Sequence, residues 1–312
     1  MKILYSLILL TIITLSLSVS TAHSQMNGSE LFGNWNLEFD INGETMPGWL
    51  HAERSGRHTI VGAFVGSSGN SRPISVIHYS VETGDYTFTI PPQWEPITSD
   101  LTFTFTIVDN KLQGHVVMGD NRYPFTGYSA PSLIRENPPT WGTPVSLLDD
   151  HMSKWIIPEN NQFVMQEGIL VNKAMGGNLV SKETFDDFKL HTEFRYPEGS
   201  NSGIYLRGRY EVQIEDGFGK DITKLIMAGI YGFIEPSVNA SKQSGEWQTL
   251  DITLVGRMVT VVHNGIEVIS KRSIPGITGG ALDGREGEPG PIMLQGDHGP
   301  IEFKKITITP AL

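Results

Sequence analysis

Between Leu31 and Tyr128 one pattern recurs eight times: a short run in which apolar and polar residues alternate, closed by Gly, Asn, Asp or Pro. The runs "GNWNLEFDI", "HTIVGAFVG", "DYTFTIPP" and "LTFTFTIVD" are typical. A period of two places successive side chains on opposite faces of a strand and cannot form the apolar stripe of a helix. "TGD" and "VDNK" are hairpin turn signals. With 34 Gly and 18 Pro in 312 residues, few stretches stay uninterrupted for helical lengths. Residues 26–130 therefore read as a small antiparallel β-barrel or sandwich, loosely lipocalin-like in the Gly-x-Trp opening at Trp35. Such a unit either holds a ligand or serves as an accessory module.

The stretch 131–144 carries Pro131, Pro138, Pro139 and Pro144, a density that prevents ladder pairing and favours an extended linker. From 145 to 312 the alternation resumes. "WIIPENNQFVMQEGILVNK", "TFDDFKLHTEFRYP", "NSGIYLRG", "YEVQIED", "GEWQTLDITLVGRMVTVVHNGIEVISKRSI" and "GPIMLQGDHGPIEFKKITITP" supply around ten strands, with Asn264-Gly265 as a type I′ turn. The expectation is an all-β chain whose C-terminal part is a concanavalin-like two-sheet jelly roll.

Several chemistries are excluded. The chain has no cysteine, so it has no acylated lipoprotein cysteine, disulfide, thiolate nucleophile or Cys-based metal site. A net charge of −11 without a basic block leaves no nucleic-acid footprint. No nucleophile elbow, phosphate loop or His-Glu-x-x-His motif occurs. "GGALDGREGEPGP" is acidic and Gly-rich, but it misses the EF-hand spacing and reads as a loop rimming a pocket. "NAS" at 239–241 is an ordinary loop tripeptide here. Residues 1–24 have a basic start, an apolar run and small residues at Ala22 and Ser24, the form of a signal peptide cut before Gln25. The expected setting is periplasmic or secreted, with no membrane span after cleavage. An acidic exported β-protein meets neutral ligands, sugars foremost.

Sorting four strands by period two shows where chemistry gathers. In "LHTEFRY" Leu190, Thr192 and Phe194 face the core, and His191, Glu193 and Arg195 face away. In "NSGIYLRG" the outward set includes Tyr205 and Arg207, with Asn201 at the strand start. In "YEVQIED" it is Glu211, Gln213 and Glu215. In "PIMLQGDH" it is Met293, Gln295 and Asp297, with His298 at the end. A solvated sheet face would carry interchangeable Lys, Thr and Ser. Arg, Tyr, Gln and paired carboxylates instead hydrogen-bond in fixed geometry, which suits a small polyol. Glu193 and Glu211 are the candidate acid and base, with Arg207 or Arg195 holding one ionised. His298, near neutrality in its ordinary pKa, is the candidate proton carrier. Arg195, Asn201, Tyr205, Arg207, Gln213, Gln295 and Asp297 are the candidate substrate-binding set.

The stretches "NSGIYLRGRYEVQIED", "YGFIEPSVNAS", "GEWQTLDITLVGRMVTVVHNG", "PGITGGALD" and "GPIMLQGDHGPIEFKKI" resemble the 3-keto-disaccharide hydrolase domain family over about residues 145–309. The resemblance implies a concanavalin-like jelly roll and an exported enzyme acting on 3-keto-glycosides or 3-keto-disaccharides. A C3 ketone acidifies the C2 proton, so a base can remove it and expel the C1 aglycone, after which water adds. On that reading His298 or Glu193 is the base, Glu211 the second acid/base, and Arg207, Tyr205 and Gln295 donate to the ketone and hydroxyls. The resemblance fixes no cofactor, and a divalent metal on the ketone, held by Glu193, Glu211, Asp297 and His298, is compatible with the chemistry. Two alternatives stay open. One is a laminarinase-like glycosidase on unoxidised sugar, although Gln213 replaces the central carboxylate of its Glu-x-Asp-x-Glu strand. The other is a non-catalytic sugar-binding module.

Overall fold

The computed structural model describes residues 27–312, so the signal-peptide reading of residues 1–24 lies outside the described part. Among the described residues the regular structure is strand, apart from a 3₁₀ turn at Ser29–Leu31, and no helix is long and apolar enough to cross a membrane.

The first eight strands are β1 (Gly33–Ile41), β2 (Glu44–Ser55), β3 (Thr59–Val65), β4 (Arg72–Tyr79), β5 (Tyr86–Ile90), β6 (Leu101–Val108), β7 (Lys111–Met118) and β8 (Asn121–Ser129). Each pairs antiparallel with the next, and β1 also pairs with β8 from Trp35↔Ser129 to Phe39↔Phe125, which closes the sheet into a barrel. Closure removes the sheet edges, which favours the barrel over an open sandwich. Alternation fills its interior: Leu101, Phe103 and Phe105 of β6 are buried while the threonines between them lie partly open. Phe88 and Phe103 stack at 4.4 Å.

Residues 131–144 run as an extended connection strapped to the jelly roll. The Arg135 Nε donates to Asp187 Oδ2 at 2.7 Å, Trp141 bridges to Ala311, and the Gly142 N–H donates to the Pro310 carbonyl at 2.8 Å.

The remaining strands are β9 (Val145–Ser146), β10 (Trp155–Ile156), β11 (Phe163–Gln166), β12 (Ile169–Asn172), β13 (Leu179–Phe185), β14 (Phe188–Arg195), β15 (Asn201–Leu206), β16 (Tyr210–Glu215), β17 (Gln248–Val255), β18 (Met258–His263), β19 (Ile266–Ser273), β20 (Gly290–Leu294) and β21 (Ile301–Pro310). They make two sheets, one in the order β10-β13-β20-β15-β16 and one in the order β11-β12-β21-β14-β17-β18-β19, with β9 added beside β21. This is the jelly roll. Phe163, Phe188, Phe194, Leu206, Val212, Leu250 and Ile292 are among the buried side chains that hold the sheets together.

Barrel and jelly roll are packed against each other. Trp49 of β2, only 2% exposed, belongs to the jelly-roll core and meets Phe233 edge to face at 5.2 Å. The Asn36 amide donates to Glu286 Oε2 at 3.0 Å, and the Gly280 N–H donates to the Ser67 carbonyl at 2.9 Å.

Candidate active site

A cavity of about 360 Å³ lies where the smaller sheet meets the barrel. Its floor comes from β15 and β16, joined in a register that sets Tyr205 opposite Glu211 and Gly203 opposite Gln213. β20 pairs on the other side of β15, and its continuation carries Gln295, Asp297 and His298 into the cavity. Asn178 accepts the Gly296 N–H at 2.8 Å and so fixes that continuation. The roof comes from Ser67, Ser68 and Gly69 between β3 and β4, Trp94 between β5 and β6, and Gly279 and Gly280 between β19 and β20.

Glu211 is the buried acid of the site, 3% exposed. It fits because residue 203 is glycine: a Cβ there would stand 2.3 Å from Glu211 Oε1. Burial, which penalises the charged form, pushes its carboxyl up to about 8, with nearby Asp297 acting the same way against the opposing hydrogen bond from Tyr205 and the field of His298. The Tyr205 hydroxyl lies 2.9 Å from Glu211 Oε2 and 2.9 Å from the Gly279 carbonyl oxygen. One proton cannot serve both acceptors. With Glu211 protonated, Tyr205 donates to the Gly279 carbonyl alone, which leaves the carboxyl proton free to be given to a ligand.

Asp297 and His298 form a half-exposed pair, with Nδ1 2.7 Å from Oδ1. The hydrogen bond from Asp297 raises the imidazole pKa above its ordinary value, and the same bond lowers that of the Asp297 carboxyl. With the proton on Nδ1 donated to Asp297, Nε2 is left with its lone pair. Gln213 and Gln295 are 3% and 7% exposed, and their side-chain carbonyl oxygens are buried without a partner. Buried acceptors lacking donors are costly, so both await hydroxyl or N–H groups from a ligand.

Seven of the ten residues singled out in the sequence thus line one cavity: Asn201, Tyr205, Glu211, Gln213, Gln295, Asp297 and His298. Three do not. Glu193 and Arg195 lie on β14, which belongs to the other sheet, so their outward face points away from the cavity. There Lys304 Nζ stands 2.8 Å from Glu193 and lowers its pKa, while Arg195 binds Glu302 Oε2 at 2.6 Å and lies over the Trp247 ring. Arg207 sits in the β15–β16 turn at φ 53°, where strand alternation no longer applies. Its side chain is buried against Asp186 Oδ1 at 3.1 Å and the Glu286 and Gly256 carbonyls. It buttresses the turn and touches no ligand space.

The metal reading fails the same test. Glu193 is remote from the other three named donors, and no group of three or more His, Asp or Glu side chains able to hold an ion occurs among the described residues. The acidic loop splits likewise: Gly279 and Gly280 rim the cavity, whereas Glu286 is buried in a cluster with Arg257 and Tyr210.

Sequence reasoning missed the barrel's share of the roof and the wall that Tyr231 supplies. Ser67, Ser68 and Trp94 belong to loops that carried no assigned role, although "PPQWEP" offers a signal in a Trp held between prolines. Tyr231 enters from the long β16–β17 connection, which folds back so that the Tyr231 N–H donates to the Glu211 carbonyl at 3.0 Å.

Fold and site together define an all-β protein with a buried acid and an imidazole lining one polar cavity. The chain belongs to the 3-keto-alpha-glucoside-1,2-lyase-like domain family, whose profile matches residues 143–309. Similar solved structures include two proteins of Parabacteroides distasonis ATCC 8503, each described as a "putative glycosyl hydrolase". One is 28% identical, covering 57% of this chain and 94% of its own with a TM-score of 0.47. The other is 22% identical, covering 55% and 100% with a TM-score of 0.45. LamAcat from Zobellia galactanivorans is 12% identical over 50% of this chain and 88% of its own, with a TM-score of 0.34. No curated protein matches the chain.

Proposed function

We propose that the protein cleaves 3-keto-glycosides, 3-keto-disaccharides among them, by elimination across C1–C2 followed by hydration, and that it does so after export. The observation that carries this reading is the juxtaposition, in one cavity, of a buried carboxyl held up to about 8 and an imidazole oriented by Asp297. Elimination needs a neutral base and a protonated acid at the same pH, and burial keeps Glu211 in its acid form up to about 8.

His298 Nε2 takes the C2 proton, whose acidity the C3 ketone provides. The C–H electrons form the C1=C2 double bond, the C1–O bond breaks, and the Glu211 carboxyl protonates the departing oxygen. Hydration restores both groups: Glu211 takes a proton from water as its oxygen adds to C1, and the His298 imidazolium returns a proton to C2. Tyr205 and the side-chain amides of Gln295, Gln213 and Asn201 supply the polar contacts for the ketone and ring hydroxyls. The orphan carbonyls of Gln213 and Gln295 support a ligand rich in hydroxyl donors. Direct hydrolysis of unoxidised sugar needs two working carboxylates. Within the cavity Asp297 is committed to His298, which weighs against that route.

The test is to incubate the purified protein with 3-keto-trehalose, 3-keto-sucrose and their unoxidised parents in deuterated water, following products by NMR. Release from the keto-sugars alone, with deuterium entering at C2, is the expected result. Cleavage of the parents at a comparable rate, or release without exchange at C2, would overturn the mechanism. Export predicts a mature N-terminus at Gln25 in the protein recovered outside the cytoplasm.

A further inference from the structure

The barrel has its own cavity, about 430 Å³, opening at its mouth beside the polar site. Phe39, Phe64 and Phe103 line its depth, and Ile97, Met118 and Tyr123 line its walls. The two cavities share Ser67, Ser68 and Trp94. The residue 66–69 loop is therefore a sill between a polar chamber and an apolar one, and Trp94, 69% exposed, stands on both sides of it.

This mouth is held open by a built framework. Arg72, 8% exposed, donates to Glu95 Oε1 at 2.8 Å and to the Pro91 carbonyl at 3.0 Å. Glu95 in turn accepts the backbone N–H groups of Gln93 and Trp94 at 2.7 and 3.1 Å. Gln93 and Asn70 exchange two hydrogen bonds, tying the Trp94 loop to the sill. The one carboxylate in the lining is thus consumed by its own loop, and what faces the cavity is mainly aromatic and aliphatic surface.

Resting on the reaction proposed above, we infer that the barrel mouth is the aglycone subsite, and that the group it takes is an aromatic, phenol-type aglycone. An elimination at C1 requires the leaving group to lie just beyond the sugar chamber, and the chamber's apolar neighbour lies across the shared sill. A lining that includes Phe39, Phe64, Phe103 and Tyr123 suits an aromatic partner better than a second polyol. The barrel thereby selects which glycosides reach Glu211 and His298.

The test compares 4-methylumbelliferyl and methyl 3-keto-glucosides of one anomer on the full chain. The aryl substrate is expected to show a KM lower by about tenfold or more, as burial of a ring warrants. Met118→Trp, which fills the mouth from β7, is expected to collapse that ratio towards one, and Ile97→Trp, which fills it from the β5–β6 loop, is the second variant should the first fail to fold. An unchanged ratio in a folded variant overturns the subsite. If neither substrate turns over, the reaction is wrong and the subsite is judged alone by fluorescence titration of free 4-methylumbelliferone. Binding that Met118→Trp removes supports it, and absence of binding to the wild type overturns it.

Discussion

Glu211 concentrates the electrostatic consequences of this site. Its carboxyl moves from an ordinary 4.5 to about 8 on folding, so between those values the folded chain holds a proton that the unfolded chain has lost. Stability therefore declines as pH rises through that window, by up to about 1.4 kcal/mol per pH unit. Glu211→Gln removes the slope, so its stability relative to wild type, measured by urea unfolding from roughly pH 5 to pH 8, is expected to climb with pH. A constant difference would show that Glu211 ionises normally. The same substitution is expected to cut turnover by about a hundredfold or more, the usual worth of a positioned acid. In wild type the alkaline limb of the rate profile should fall near 8 as Glu211 loses its proton. The acid limb should lie above the ordinary histidine value, because Asp297 raises His298. Gly203→Ala tests the packing behind this: its Cβ would contact Glu211 Oε1 at 2.3 Å, so activity should fall with little change in the rest of the fold.

At the scale of elements, the Arg72–Glu95 ion pair is the charged tie among those that hold the roof loop bearing Trp94. The side chains of Arg72 and Glu95 are 9% and 19% exposed, so removing one partner strands a charge that is largely cut off from water. Arg72→Met should cost about 3–5 kcal/mol, whereas Arg72→Met with Glu95→Gln should cost distinctly less. A double-mutant cycle by denaturant unfolding measures the coupling, and both variants should raise KM more than they lower kcat. The strands were legible in the sequence because alternation is local: β1 to β8 and the cavity-lining Tyr205, Glu211 and Gln213 follow from period two, and the Asn264-Gly265 hairpin from its turn residues. Which sheet a strand joins is a long-range property, and period two carries no record of it. Glu193 and Arg195 obey the alternation and still face the wrong way, because β14 pairs with β17 and β21 rather than with β15. Arg207 was misread for the opposite reason, since at φ 53° it has left the strand. The roof loops were illegible because nothing in the barrel's own sequence says what packs against them.

Across the whole molecule, the barrel completes the site, and the interface that attaches it should govern both stability and binding. Trp49 sits on a barrel strand but packs into the jelly-roll core, with its indole N–H buried and unpartnered, so it is retained for bulk rather than for a hydrogen bond. Its seat is the backbone of Gly276, where a Cβ would stand 2.1 Å from the indole nitrogen. Trp49→Ala should cost about 3–5 kcal/mol, as loss of a large buried aromatic does. The same interface carries the Ser67 carbonyl to the Gly280 N–H, so loosening it also lifts the residue 66–69 sill off the cavity. Calorimetry of the wild type should therefore show one cooperative transition, and Trp49→Ala should separate barrel from jelly-roll unfolding and weaken sugar binding together. Gly276→Ala approaches the same contact from the jelly-roll side, and its added methyl must displace the indole. If the barrel were only an appended module, either variant would shift one transition and leave ligand affinity untouched; loss of affinity from both sides of the interface is the result that makes the two folds one site.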